Sequence, residues 1–331
     1  MHILHALTLG FLSCCTSTWS ISAASAQVNG PGPSPSSSFD TVLNLPGNAS
    51  MMFGSAQSIG GIPGQTTQLN IDDGGTIGFR LEANSGSEVN VSGGRVGNAF
   101  DANSGSEVNV SGGTLGGLDA NSGSHVTISN GNVLGGFIAI DSIVDISGGT
   151  FGGNSAAFSG SQVSISGGDL GRSFNARSNS QVNISGGVFG DDFEVLDGGE
   201  VNISGGIFDD NFDAFFGSKV NLFGSSFFVD GVELELDVPP GQPFTITERD
   251  VTLSGLLTDG QQFSFDLNSV DTTFFETEFF GGIPVLSEFD PGDDFFDRGA
   301  TLTVTLTVPE PSSTGFIAAL FALGFARRHR R

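Results

Sequence analysis

The chain has 331 residues and a formal net charge of −25 at pH 7, with 36 Asp and Glu against 11 Lys and Arg. Such an acidic chain repels nucleic acid and anionic membranes and attracts cations, so we expect no nucleic-acid partner. Both cysteines and the single tryptophan lie within the first 19 residues, and tyrosine is absent. Beyond those residues the chain has no cysteine, so neither a disulfide nor a thiol is expected there, and stability must come from stacking and burial. The full chain has 31 phenylalanines for such a core.

Residues 1–26 have the order of a secretory signal peptide. An apolar stretch at residues 3–12 is followed by a small-residue cleavage site of the A-x-A kind, formed by Ala24 and Ala26. We therefore expect export and cleavage after this site. A lipoprotein site at Cys14 is the weaker alternative, because the residues before it match that pattern poorly.

Residues 27–66 are predicted to form a Pro/Gly/Ser-rich linker and an N-terminal cap. Across residues 67–231 a phrase of the form Ser-x-Val-x-Ile-Ser-Gly-Gly returns every 18 to 20 residues. A fixed period indicates one structural unit stacked on copies of itself. The two apolar residues of the phrase are two apart, which is the strand period, so the polar residue between them points outward. They form two columns, Leu69, Val89, Val108, Val126, Val144, Val163, Val182, Val201 and Val220, and Ile71, Val91, Val110, Ile128, Ile146, Ile165, Ile184, Ile203 and Leu222.

Each repeat carries three short apolar stretches, separated by Gly-Gly, Gly or Ser-Gly-Ser. Glycine supplies the positive φ that tight corners require, and β-branched residues at strand period argue against helix. We therefore predict an all-β fold, a parallel β-helix (β-solenoid) of about nine turns with rungs ~4.8 Å apart. Phe and Ile columns would form its core, and Asn, Ser and Asp columns its outer ladders. A flexible Gly/Ser segment is the alternative, but it would not keep several apolar columns in constant register.

The best candidate site is a ladder of carboxylates late in the repeats. Two Phe-rich acidic segments align so that Asp191 stacks on Asp210, and Glu194 on Asp213. Like charges ~5 Å apart on adjacent rungs repel unless they are solvated, protonated or bridged by a cation. Calcium is the cation that such a set of oxygen ligands suits, and a solvated acidic face is the alternative. A second acidic cluster comprises Asp290, Asp293, Asp294 and Asp297.

Residues 232–307 lose the period and are predicted to form a small β-domain that caps the coil. An open solenoid end exposes unpaired strand edges, which invite association unless they are covered. A turn is predicted at residues 258–261. Strands are predicted at 232–237, 244–246, 251–257, 263–267 and 302–308.

Parallel β-helices also house polysaccharide lyases and hydrolases, so a polysaccharide-degrading enzyme is the alternative function. A hydrolase of that kind needs a carboxylate pair across a groove, and a lyase needs a base, often Lys or Arg, beside calcium. The basic residues of the repeats fall at different positions in their turns and form no column, and long insertions between rungs are missing. The sequence therefore favours a protein without catalysis, and we assign no catalytic residue.

The last predicted unit, residues 308–331, has the order Pro-Glu-Pro, Ser/Thr spacer, apolar stretch and Arg cluster. This order resembles the PEP-CTERM sorting signal of bacterial exported proteins. The residues that carry the resemblance are Pro309, Glu310, Pro311, Arg327 and Arg328. In that family the motif is read by a membrane-embedded exosortase and the tail is thought to be removed. The apolar stretch is shorter than the ~20 residues that span a bilayer, so the resemblance implies transient membrane association, with the Arg cluster cytoplasmic.

The repeats, with phrases such as VNISGG followed by FGDDF, also resemble the β-helix repeats of large exported proteins from planctomycete-type bacteria. Together the two resemblances imply a cell-surface or extracellular location. We therefore expect a structural or adhesive β-solenoid without a cofactor other than calcium. The expected partners are exosortase-type machinery, exopolysaccharide and other surface proteins.

Overall fold

The structure is a computed structural model. It describes residues 27–29, 40–45, 50–51, 56–209, 211–269, 277–280, 283–286 and 294–307. Within these ranges every regular element is a β-strand, which confirms the predicted all-β class.

The strands are numbered in chain order. The N-terminal strands are β1 (Gln27–Asn29), β2 (Thr41–Leu45), β3 (Ser50–Met51) and β4 (Gln57–Ile59). The coil comprises β5 (Thr67–Ile71), β6 (Thr76–Ile77), β7 (Arg80–Ala83), β8 (Ser87–Val91), β9 (Arg95–Val96), β10 (Ala99–Ala102), β11 (Glu107–Leu115), β12 (Leu118–Ala120), β13 (His125–Val133), β14 (Phe137–Ile140), β15 (Ile143–Ile146), β16 (Thr150–Phe151), β17 (Ser155–Phe158), β18 (Gln162–Asp169), β19 (Phe174–Ala176), β20 (Gln181–Phe189), β21 (Phe193–Val195), β22 (Glu200–Phe208), β23 (Phe212–Ala214) and β24 (Lys219–Val229). The C-terminal strands are β25 (Val232–Glu233), β26 (Pro243–Ile246), β27 (Thr252–Leu257), β28 (Gln262–Asp266), β29 (Thr277–Phe280), β30 (Ile283–Leu286), β31 (Phe295–Phe296) and β32 (Thr301–Leu306).

The strands that carry the repeated phrase stack in one parallel column. Val89 lies beside Leu69 on one side and Val108 on the other, and this register continues to Val220. Both apolar columns of the phrase are fully buried, as the period of two requires. The predicted parallel β-solenoid is confirmed. It has about 8 turns where about nine were predicted, because the phrase strands from β5 to β24 enclose one turn fewer than their number.

The Ser-Gly-Gly corner bends a strand instead of ending it. In β20, residues on both sides of the glycine pair stay paired with β22, with register shifts at the corner. The two glycines serve different purposes. A Cβ on Gly186 would lie 2.5 Å from the carbonyl oxygen of Ser166 on the preceding rung, whereas Gly187 has a φ of 106°. The first glycine therefore permits close approach of the rungs, and the second supplies the positive φ.

A second parallel sheet of 10 strands closes the coil on the other side, in the order β31-β23-β21-β19-β17-β14-β12-β10-β7-β4. Its inward residues form a column rich in phenylalanine. The ring of Phe193 stacks on Phe174 and Phe212, with centroids 5.1 and 4.9 Å apart. Each buried Phe contributes ~2–3 kcal/mol relative to an exposed one, so this column is a main source of stability.

Both ends of the coil gain strands from outside the repeats. β2 adds a parallel rung on β5, and β32 adds one on β24. β26 then pairs antiparallel with β32, and the β27–β28 hairpin pairs with the end of β24. The predicted cap strands and the predicted turn at 258–261 are confirmed, except that the first strand is shorter. It comprises only Val232–Glu233, the two residues that pair with Val229 and Phe228 of β24.

Candidate functional site

The predicted carboxylate ladder lies on the outer side of the second sheet. Glu194 of β21 lies directly beside Asp213 of β23, as the alignment predicted. Asp213 is buried, with 6% of its surface exposed. The reason is that β31 stacks on β23 and places Phe295 beside Asp213. One of the two predicted pairs is therefore assembled, but beneath the cap.

The second predicted pair is described only in part. Asp210 lies outside the described residues. Asp191 forms an ion pair with Arg172. The Nε atom of Arg172 lies 3.4 Å from Oδ2 of Asp191, and both side chains are substantially exposed. Arg172 therefore provides Asp191 with a positively charged neighbour from within the protein.

The carboxyl group of Glu194 is half-buried, and this burial raises its pKa. The positive charge of Arg177 acts in the opposite direction, and the carboxylate of Asp192 adds to the increase. Burial is the largest of the three effects. Glu194 therefore holds its proton more tightly than a solvated glutamate does.

The described part of the predicted calcium site is incomplete as a set of metal ligands. Among the described residues, no three His, Cys, Asp or Glu side chains come together in a group that could hold a metal ion. Asp191, Glu194 and Asp213 belong to the described residues, whereas Asp210 does not. Calcium binding by the four predicted ligands therefore stays a prediction.

The second predicted acidic cluster contributes to the cap. Asp290 and Asp293 lie outside the described residues. The carboxylate of Asp294 accepts the backbone N–H of Phe212 at 2.7 Å and that of Asp266 at 2.9 Å. Asp294 thus joins the last turn of the coil to the cap.

A third group of carboxylates lies at the other end of the same sheet. Glu82, Asp101 and Asp119 occupy successive rungs in one outward column. Arg80 pairs with Asp101 and lies 3.8 Å from Glu82. Burial raises the pKa of Asp119, and the nearby charge of Asp101 raises it further, while Arg80 lowers it.

The sequence analysis did not identify this column, although the period of the sequence contains the signal for it. Glu82, Asp101 and Asp119 are the residues between the two apolar positions of the third stretch, where the period of two predicts an outward side chain. Asp101 is only 2% exposed because Arg80 and its neighbours cover it. The column is thus a partly neutralised cluster of charges beside the first turns.

The most regular surface feature is a hydrogen-bonded ladder of asparagine amides on the phrase strands. Each amide nitrogen donates to the amide oxygen of the preceding rung over 2.7–3.1 Å. Thr303 extends the ladder into the cap through its hydroxyl. This confirms the predicted outer Asn ladder. Its two runs are Asn44, Asn70, Asn90 and Asn109, and Asn183, Asn202 and Asn221.

A shallow depression lies elsewhere on the surface, at the corner that follows the second sheet near the end of the coil. Its volume is about 560 Å³, and Phe215, Phe216 and Phe295 line it together with Arg177. Phe216 is 69% exposed. The guanidinium of Arg177 donates to Asn175 at 2.7 Å and lies 5.5 Å from the centroid of Phe158.

Comparison with known proteins adds no relative. No family model matches the chain, and neither a curated protein nor a solved structure matches it. In the part of the chain that the structure describes, no helix is long and apolar enough to cross a membrane. The predicted signal-peptide residues Ala24 and Ala26 lie outside the described residues, as do the sorting-signal residues Pro309, Glu310, Pro311, Arg327 and Arg328.

Proposed function

We propose that this protein is an exported β-solenoid that is retained at the cell surface or in the extracellular matrix, where it has a structural or adhesive role. The observation that carries the proposal is the asparagine ladder, which presents the same amide group on successive rungs over much of the coil. A repeated and rigid polar surface suits multivalent contact with exopolysaccharide or with other surface proteins.

The two ends of the sequence provide the proposed route to the surface. The segment with Ala24 and Ala26 directs export, and Pro309, Glu310 and Pro311 are read by exosortase-type machinery during transient membrane association. In a host that contains such machinery, the full chain should be accessible to added protease on intact cells. Replacement of Pro309, Glu310 and Pro311 by alanine should abolish surface retention. Unchanged retention would refute the sorting route.

The proposed role involves no catalysis, although the fold is compatible with a polysaccharide-degrading enzyme. The purified chain should release neither new reducing ends nor unsaturated uronates from a panel of neutral and acidic polysaccharides. Release of either product that persists through purification would favour the enzyme instead.

The carboxylates of four residues are the proposed ligands of a calcium ion, namely Asp191, Asp210, Glu194 and Asp213. A ligand that binds only the folded state raises stability, by about 2.7 kcal/mol at a concentration 100 times its Kd. The melting temperature of the full chain should therefore rise with calcium and return after chelation. Replacement of Glu194 by Gln should remove the rise. A melting temperature that does not respond to calcium would reject the site and leave the structural role untouched.

A further inference from the structure

A groove of about 510 Å³ lies on the phrase face between β18 and β24. Its floor is formed by three successive rungs, in the segments 164–166, 181–185 and 200–204, which present polar side chains outward, and Phe223 lies at its end. Phe223 occupies the position at which Ser166, Ser185 and Ser204 stand in the preceding rungs. The groove is thus a regular polar surface that ends in one aromatic ring.

The amides of the floor retain hydrogen-bonding capacity. Asn202 donates to Asn183 at 2.9 Å and accepts from Asn221 at 2.9 Å. An amide has two N–H donors and two acceptor lone pairs, so Asn202 keeps one of each. The side-chain amide of Asn183 donates neither of its two N–H groups to another described residue. Gln181, on the same strand, is exposed.

The serine hydroxyls beside the amides are oriented in one direction. Ser204 donates to the carbonyl oxygen of Ile184 at 3.1 Å, and Ser166 donates to that of Ile146 at 3.3 Å. Because each hydroxyl proton points at the preceding rung, its oxygen is left as an acceptor. Donors and acceptors therefore alternate across the floor and repeat at the rung spacing of ~4.8 Å.

The aromatic end of the groove is held in place by the cap. The carbonyl oxygen of Phe223 accepts both the backbone N–H and the hydroxyl of Thr258, each at 3.1 Å. The next residue, Asp259, donates its N–H to the carbonyl oxygen of Ser204 at 3.1 Å. The backbone of Phe223 is therefore fixed relative to the floor, which lowers the entropic cost of binding.

Charge decides the class of ligand. Glu200, the acidic residue that lines the groove, lies 3.8 Å from Lys219. The net charge of −25 repels polyanions. A ligand that matches the groove is thus uncharged, rich in hydroxyl groups that donate and accept, and able to lay an apolar face on a phenyl ring.

We propose that this groove binds an extended, uncharged polysaccharide, with one sugar ring packed on Phe223 and its neighbours hydrogen-bonded to the amides and hydroxyls of the floor. The inference deepens the surface role proposed above, because it names the site and the chemical class of an exopolysaccharide partner.

The test uses the full purified chain and measures affinity for soluble neutral glucans and for alginate, a polyanion, at fixed ionic strength. Phe223→Ser restores the residue of the other rungs and should weaken neutral-glycan binding about tenfold. Gln181→Ala should weaken it about fivefold, because one hydrogen bond is lost from an exposed side chain. The matched controls are Gln162→Ala, in the same column but outside the groove, and Phe216→Ser, an exposed Phe on another surface.

Neutral-glycan binding that falls in both groove variants and in neither control supports the proposal. It is overturned by preferential binding of alginate, by no binding of any neutral glycan, or by equal losses in groove and control variants. Cell-surface retention is measured separately. A chain that is retained but binds no neutral glycan refutes only this site, and a chain that binds through Phe223 but is not retained refutes only the surface role.

Discussion

The side-chain amide of Asn202 donates a hydrogen bond to the amide oxygen of Asn183 on the preceding rung, 2.9 Å away. The same relationship recurs between Asn221 and Asn202. A ladder of this kind can form only when neighbouring strands are parallel and in register, because only then do identical side chains stack. The ladder is therefore a consequence of the repeat and a contribution to the stability of the coil.

Replacement of Asn202 by Ala should lower the free energy of unfolding by about 1–2 kcal/mol, because two side-chain hydrogen bonds are lost. Chemical denaturation followed by circular dichroism measures the change. Ser164→Ala is the matched control, since Ser164 occupies the same column and is exposed. It should change stability by less than about 0.5 kcal/mol. Equal effects of the two substitutions would show that the ladder does not stabilise the fold.

Replacement of Phe193 by Ala should lower the free energy of unfolding by about 3–5 kcal/mol. The ring is stacked between Phe174 and Phe212 and is only 2% exposed, so its loss leaves a cavity that two rungs share. Phe216→Ala, at a ring that is 69% exposed, should cost less than about 1 kcal/mol. A denaturant series on both variants tests the difference, and a small effect at Phe193 would contradict the observed core.

Arg249 should be needed for attachment of the last rung. Its guanidinium donates to five backbone carbonyl oxygens, those of Ile246, Glu248, Phe296, Asp297 and Ala300. Three of these acceptors belong to the segment 294–307, which completes the coil.

We expect Arg249→Ala to lower stability by about 2–3 kcal/mol, since several charge-assisted bonds are lost together. Limited proteolysis should then cut near residues 294–307 faster than in the parent. Arg298→Ala, which removes an exposed ion pair to Asp250, should leave cleavage nearly unchanged. Cleavage at the same rate in both variants would show that Arg249 does not hold the segment.

The raised pKa of Glu194 predicts a loss of stability as the pH increases. Above the ordinary glutamate value of 4.5 and up to the raised pKa, the folded protein binds more protons than the unfolded chain. The free energy of unfolding therefore falls through this interval and is then constant with respect to this group.

Glu194→Gln should flatten that part of the stability curve and should not destabilise the protein at neutral pH. Urea midpoints measured from mildly acidic to neutral pH test the prediction. Glu235→Gln, at an exposed position of the cap, is the control and should leave the slope as it is. A steeper decline with pH in Glu194→Gln would reverse the sign that burial implies.

The sequence alone determined the architecture of the coil. Val182 and Ile184 are two apart, and the same pair returns at Val201 and Ile203. A period of two fixes the strand and the side that faces inward, and a constant repeat fixes the register between rungs. The stacking of Glu194 on Asp213 and of Asn183 on Asn202 followed from that register.

The tertiary structure decided what lies outside the repeat. The spacing of Glu194 and Asp213 could not show that β31 returns to cover Asp213. Nor could it show that Asp294 accepts a hydrogen bond from Phe212, a residue 82 positions earlier in the chain. It could not place the Thr258 turn against Phe223. A repeat determines contacts between equivalent positions, because each copy meets the next in the same way. Contacts made by segments that are not repeated depend on where the chain returns, and only the folded structure provides that information.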